Sequence, residues 1–221
     1  MTDTLGPARA QPFFPTYVWV HDVDPVVAEP LNRDLMDAVE KLTAPRPPLP
    51  PGQGWQTDQT LHERPEFAGL VDIFMTAARR AIDGFQIKGE SLIVTGCWAN
   101  LSPPGGFHIP HLHPNNFLSG VYYVQTAEGA DRISFHDPRP QPEIIMPEVV
   151  RPNKLNSSVH NLKVRPGRLV LFPAWFVHSV PRNESNTLRV SISLNVMFSA
   201  FAETLSRPKW RGLPLRDAPA Q

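Results

Sequence analysis

The chain has 221 residues, 41% of them hydrophobic and 19% charged, and its 21 basic and 21 acidic side chains balance to a formal net charge of zero. This composition can bury a sizeable core and excludes wholesale disorder, and no basic stripe or block marks a surface for nucleic acid or anionic membrane. A lone cysteine, Cys97, cannot form an internal disulfide, and neither a leader-like start nor a run of about 20 apolar residues is present, so the sequence reads as a cytoplasmic protein.

Pro12 to Val23 alternates weakly, through Phe13, Tyr17, Trp19 and Val20, and predicts a first strand. From Pro30 the period changes: Leu31, Leu35, Val39 and Leu42 share a helical face, with Pro30 suited to the first turn and Pro45 stopping the helix. Ala44 to Gly54 is a loop rich in proline and glycine, and Trp55 to Leu61 fits neither helix nor strand clearly. A second helix starts near Pro65, buries Phe67, Leu70, Phe74, Ala78 and Ile82, and ends at Gly84. Both helices have the ordinary amphipathic pattern of elements that pack on a sheet.

Beyond Gly84 the sequence turns to β. Strands are predicted near Gln86–Ile87, Leu92–Leu101, Leu118–Gln125, Arg132–His136, Glu143–Val149, Val159–Val164, Arg168–Phe172, Phe176–Val180 and Thr187–Phe198. Many short strands separated by Pro, Gly, Asn and Asp, with no intervening helix, argue for a sandwich or barrel rather than a parallel sheet with crossovers. The 26 prolines, more than twice the usual share of about 5%, cluster outside the apolar runs. The expected organisation is a single domain over 1–221: an N-terminal strand and helices (12–84) against a β core (85–198), then a C-terminal tail (199–221).

The candidate chemistry starts at Phe107 to Val124. His111 and His113 are spaced so that an extended chain turns both side chains to one face, and neutral imidazole is the commonest protein ligand for transition metals. Two imidazoles alone do not hold a metal. His178, five residues beyond Pro173 at the end of an apolar strand, is the next candidate, because a barrel brings distant strand ends together at one mouth. In the last strand Leu188, Val190, Ile192, Leu194 and Val196 line one face, and Arg189, Ser191, Ser193 and Asn195 the other. If that second face points inward, Arg189 needs an anion; its planar fork suits a carboxylate, to which Ser191 can also donate.

These pieces together are His111-Leu-His113-Pro, Ser119-Gly-Val-Tyr-Tyr123, Phe135-His-Asp-Pro-Arg139, the Gly167 to His178 strand, Arg189-Val-Ser191, Trp55-Gln-Thr and Trp98-Ala-Asn100. Combined, they resemble the Fe(II)- and 2-oxoglutarate-dependent oxygenase superfamily, and within it a bacterial and phage branch of 2-oxoglutarate/Fe(II) oxygenases. The likeness runs from about Phe14 to Phe198. It implies a mostly β fold, a double-stranded β-helix (a jelly-roll or cupin-like barrel) with N-terminal supporting helices. It also implies Fe(II) and 2-oxoglutarate as cofactors, His111 and His178 as iron ligands, and Arg189 with Ser191 on the far carboxylate of 2-oxoglutarate.

The sequence departs from the superfamily at position 113, where members usually carry Asp or Glu. Three readings stay open: His113 ligates; Asp137 supplies a carboxylate from a neighbouring strand end; or water fills the position. Tyr122 and Tyr123 point to opposite faces of one strand, so at most one can reach 2-oxoglutarate; Tyr122 and Asn100 are taken as the cofactor-side candidates. His108 and Trp98 are read as flanking the metal or facing substrate. The implied reaction is hydroxylation of a C–H bond in a small molecule or peptide with molecular oxygen, giving succinate and CO2. A cupin-type metalloprotein (an isomerase or an oxoglutarate-independent dioxygenase) and a non-catalytic jelly-roll binding protein are the alternatives. Oligomeric state is not legible.

Overall fold

The structure is a computed structural model that describes residues 6–88, 91–139, 144–145 and 147–204. Its elements in chain order are β1 (Trp19–Asp22), α1 (Pro25–Thr43), β2 (Trp55–Gln56), two single-turn 3-10 segments (Leu61–Glu63 and Pro65–Phe67) and α2 (Ala68–Gly84). There follow β3 (Leu92–Ser102), β4 (His108–His111), β5 (Leu118–Gln125), β6 (Arg132–His136), β7 (Val159–Lys163), β8 (Arg168–Pro173), β9 (His178–Val180), β10 (Arg189–Phe198) and α3 (Ser199–Thr204).

The strands form two antiparallel sheets. The larger has six strands in the order β1-β8-β5-β10-β3-β2, and the smaller four in the order β4-β9-β6-β7. Each long strand of the larger sheet splits its side chains by the two-residue period. One set (Leu118, Tyr122, Val124, Leu169, Leu171, Val190, Ile192, Leu194, Val196) packs against Leu35, Val39, Leu70, Phe74 and Ala78 of α1 and α2. The other (Val121, Tyr123, Val170, Phe172) faces Ile133, Phe135 and Phe176 of the smaller sheet and its connections. The helices are thus a buttress on the outside of the larger sheet, and the space between the sheets is where polar side chains of β3 and β10 can gather.

Two glycines permit close approaches. Gly120 on β5 lets α2 press on the sheet, because a Cβ there would collide with the Phe74 ring and stand 3.2 Å from the Val170 carbonyl oxygen. Gly167 takes φ +81° in the turn before β8, a left-handed backbone that glycine adopts without strain. Its carbonyl accepts from Val23 N–H at 2.9 Å, which ties the turn to the segment entering α1.

Several elements differ from expectation. Helix α1 begins at Pro25, not Pro30: the Asp24 side chain caps Val26 N–H at 2.9 Å, and Pro25 occupies the first turn. Pro30 then lies inside the helix. The first strand keeps only Trp19–Asp22 of the predicted Pro12–Val23. Gln86–Ile87 is no strand, since Gln86 has φ +54° and Gln86 and Ile87 donate back to Asp83 and Ile82, closing α2. Of the predicted strand Glu143–Val149, residues 143 and 146 lie outside the described residues, and the described remainder forms no strand, with Ile144 and Ile145 exposed. Residues 205–221 of the predicted tail also lie outside the described residues, and 199–204 form α3. Conversely, His108–His111 forms an edge strand of its own that the sequence pattern did not separate from the following apolar run. Among the described residues no helix is long and apolar enough to cross a membrane.

Candidate functional site

Strand β4 lies antiparallel to β9, with His111 opposite His178 and His108 opposite Val180, and the register slips between the two pairs. The slip lets His108 and His111, three residues apart, both face the space between the sheets. His113 follows the end of β4, where its backbone N–H donates to the Ala174 carbonyl at 2.9 Å and holds the segment beside the β8–β9 turn. The ligand atoms of His111, His113 and His178 all lie within 4.8 Å of one another, and among the described residues they form the one cluster able to hold a metal ion.

Hydrogen bonding sets the tautomers. His111 Nδ1 lies 2.8 Å from the Ile109 carbonyl oxygen, and His178 Nδ1 lies 2.9 Å from that of Phe176. A carbonyl can only accept, so Nδ1 carries a proton in both rings, and in the neutral ring that leaves the lone pair on Nε2 for a metal. Burial, with the neighbouring imidazoles adding to it, holds His178 down to about 3 and His113 to about 4. His108 is likewise pushed down to about 4 by burial, then by His111 and Arg189. His178 and His113 are therefore neutral at pH 7, the form that ligates. This donor set fits a divalent transition metal.

The histidines open onto a cavity of about 490 Å³ between the sheets. Arg189, 3% exposed, lines it. Its Nη1 donates to the Arg132 carbonyl at 3.1 Å and its guanidinium lies 5.3 Å from the centre of the Tyr123 ring, yet no carboxylate among the described residues pairs with it. Burial lowers the arginine from its usual range, but a guanidinium keeps its charge in proteins. Ser191 lies two residues on along the same face. The Tyr123 hydroxyl is buried without a hydrogen-bond partner of ordinary geometry, close enough to Arg189 to feel its charge. A buried cation beside two hydroxyls has the donor set that suits an anion.

Tyr123, not Tyr122, is the tyrosine of this cavity. Directly opposed residues of an antiparallel pair share a face, and β5 sets Tyr123 against Ser191 but Tyr122 against Ile192. Tyr122 therefore packs in the helix-side core, and burial pushes its hydroxyl up to about 12. Asp137 also falls outside the site: its carboxylate takes Arg139 Nε at 2.9 Å, Nη2 at 2.7 Å and the backbone N–H at 3.0 Å, and it does not line the cavity.

Asn100 and Trp98 do line the cavity. Asn100 accepts from Gln56 Nε2 at 2.7 Å and donates to Ser193 Oγ at 3.0 Å; the Trp98 ring lies 5.6 Å from that of His113. Gln56, Gln59 and Asn116 join them without having been anticipated. The glutamines come from a stretch with no periodicity; Gln56 lies in the Trp55-Gln-Thr piece of the resemblance but was given no role there, and Gln59 left no signal in the sequence. Cys97 points away from the cavity into the helix-side core, where burial pushes its thiol up to about 12.

A family model described as "Putative 2OG-Fe(II) oxygenase" matches residues 96–195, the span from β3 through β10 that carries every residue of the histidine cluster and of the Arg189 pocket. No curated protein matches the chain. Among solved structures, the non-heme alpha ketoglutarate dependent carbocyclase SnoK from nogalamycin biosynthesis aligns over 83% of this chain and 80% of its own, at 15% identity and a TM-score of 0.59. HygX from Streptomyces hygroscopicus aligns over 83% of both chains, at 11% identity and a TM-score of 0.59. A Pseudomonas putida prolyl-4-hydroxylase aligns over 83% of this chain and 93% of its own, at 15% identity and a TM-score of 0.57. At these identities the likeness is one of fold. The chain has the mostly β, double-stranded β-helix architecture of 2-oxoglutarate/Fe(II) oxygenases and resembles them in the sequence of its core.

Proposed function

We propose that the protein is an Fe(II)- and 2-oxoglutarate-dependent oxygenase that hydroxylates a C–H bond of a small-molecule or peptide substrate in the cytoplasm. The observation that carries this reading is Arg189, a buried cation with no acid partner in the cavity onto which three clustered imidazoles open. The family description of residues 96–195 supports it, as does a fold neighbour, HygX, whose structure holds nickel and 2-oxoglutarate.

In this reading His111 and His178 hold Fe(II) through Nε2, and His113 is the third ligand in place of the superfamily's carboxylate. Bound there, Fe(II) would let molecular oxygen act as the oxidant of both 2-oxoglutarate and substrate, one oxygen atom ending in the succinate formed with release of CO2 and the other in the substrate's new hydroxyl. The protein's own residues do the positioning. The Arg189 guanidinium neutralises the far carboxylate of 2-oxoglutarate, and the hydroxyls of Ser191 and Tyr123 donate to the same group. The Ile109 and Phe176 carbonyls lock two imidazoles in their ligating tautomer, so the rings do not reorient when metal enters. Val121 and Ile133 wall the same cavity with apolar surface, which strengthens the arginine–carboxylate attraction by excluding water. A cupin-type enzyme with no oxoacid co-substrate, or a non-catalytic binding protein, leaves the charge of Arg189 unanswered.

Anaerobic addition of Fe(II) and 2-oxoglutarate tests the proposal. A weak visible charge-transfer band is expected, followed by succinate on admission of air. Absence of both overturns it.

A further inference from the structure

The cavity continues well past the anion pocket. Asn195 lies six positions beyond Arg189 on β10, about 20 Å of extended strand. The paired strand β3 sets Ser102, Asn100, Trp98 and Gly96 against Arg189, Ser191, Ser193 and Asn195 respectively. Arg189 stands at one end of this wall; Gly96 and Asn195 close the other, where a bulge between Asn195 and Val196 interrupts the register.

Gly96 is the floor of a corner. A Cβ on it would stand 3.6 Å from Trp98 Cζ3, 3.7 Å from Gln59 Oε1 and 3.9 Å from Gln59 Cβ, so the indole edge and the glutamine side chain converge over the one residue with no side chain of its own. The glutamine is held there by its backbone, whose carbonyl accepts from Cys97 N–H at 2.9 Å. Asn195 accepts from the Ser119 hydroxyl at 2.7 Å through Oδ1, and its Nδ2 donors make no hydrogen bond among the described residues. Ser193 Oγ accepts from Asn100, which leaves its own proton to donate. The Gln59 amide makes no hydrogen bond among the described residues, and so adds an acceptor as well as donors.

Among the described residues lining the cavity there is no carboxylate, and Arg189 at the far end is the only lysine or arginine. An ammonium or carboxylate entering the Gly96 corner would give up part of its hydration against buried Trp98, Ser193 and Asn195 and meet amide and hydroxyl dipoles and an indole edge, none of which carries a charge to neutralise it. A group that is uncharged and carries both donors and acceptors can instead satisfy the corner and be satisfied by it.

We infer that the corner formed by Gln59, Trp98, Ser193 and Asn195 over Gly96 is the substrate-recognition subsite and selects an uncharged hydrogen-bonding group, a sugar hydroxyl pair or an amide. The inference rests on the oxygenase reading only in assigning the Arg189 end to 2-oxoglutarate, which leaves the Gly96 end for substrate.

The test is calorimetric binding to the full chain held under nitrogen with Fe(II) and 2-oxoglutarate. One series of compounds is methyl glucoside, glucosamine and glucuronate. The other is N-acetylalanine methylamide, alanine methylamide and N-acetylalanine. In one series the neutral member is expected to bind about tenfold or more tighter than either charged member, and the series that responds tells a sugar from an amide. Gln59→Glu, at an exposed position that tolerates the change, is expected to move preference about tenfold toward the ammonium member of that series. Equal or tighter binding of a charged member to the unmodified chain overturns the inference. So does the absence of binding by every compound while 2-oxoglutarate still binds. Failure of 2-oxoglutarate itself to bind is a separate result, and overturns the oxygenase reading instead.

Discussion

His111 stands directly opposite His178 across the β4–β9 pair, with ring centroids 4.3 Å apart and each Nδ1 held by a carbonyl two residues earlier in its own chain segment. Antiparallel pairing thus brings together two imidazoles 67 residues apart, and the His113 ring completes the group at 5.3 Å from the first and 5.1 Å from the second. Asp137 is spent on Arg139. His113→Ala is therefore expected to weaken Fe(II) binding on the order of a hundredfold, at or beyond the effect of losing a partner that merely orients a ligand. Asp137→Ala should leave binding unchanged. Anaerobic titration of both variants checks this, and a loss confined to Asp137→Ala would reverse the assignment.

Arg189 is buried with no carboxylate in direct contact among the described residues; Asp131, paired with Arg132 and Lys163, reaches it only through its field. Removing one partner of a buried, hydrogen-bonded charge pair costs about 2–5 kcal/mol, so Arg189→Ala is expected to raise the Kd for 2-oxoglutarate by roughly thirtyfold to several thousandfold. Iron affinity should stay within about twofold, because the guanidinium does not belong to the histidine cluster. Parallel titrations of metal and of 2-oxoglutarate separate the two effects. Equal losses in both would remove the arginine from its assigned role.

Gly120 is where α2 presses on the larger sheet. Gly120→Ala drives a methyl group into the Phe74 ring, with the Val170 carbonyl close on the other side. Overpacking of this kind costs about 1–3 kcal/mol, measurable as a lower midpoint of urea unfolding with an unchanged slope.

Asp22 and Arg168 are cross-strand partners on β1 and β8, joined by two hydrogen bonds of 2.8 Å, and Arg165 adds a contact at 3.0 Å. The hydrogen bond from Arg168, then that from Arg165, holds the carboxyl well below the usual carboxylate range. A carboxyl depressed in the folded state contributes stability above its unfolded pKa of about 3.9, and that contribution is lost as pH falls through the folded value. The pair is half open to water, so Asp22→Asn is expected to cost on the order of 0.5–1 kcal/mol at pH 7. The stabilities of the two proteins should converge progressively below about pH 4, which denaturant melts across that range will show. A gap that widens on acidification would contradict the sign.

The sequence by itself determined what each strand would bury. The two-residue period of β10 separates Val190, Ile192, Leu194 and Val196 from Arg189, Ser191, Ser193 and Asn195, and the structure keeps that division, one set on the helices and the other in the cavity. Periodicity is local chemistry, written in consecutive residues, and so were the apolar strands β5 and β6, found at their predicted limits. Which tyrosine faces Arg189 was not local. Tyr122 and Tyr123 are adjacent, and only the register of β5 on β10 puts the second beside Ser191. The same holds for Asp137, whose turn-forming Asp-Pro sequence does not reveal that Arg139 takes its carboxylate. Gln59 reaches the cavity from an aperiodic segment because its backbone is tied to Cys97. Local sequence decides the face of a strand, but the partner across it depends on pairing between segments far apart in the chain, and only the folded arrangement supplies that.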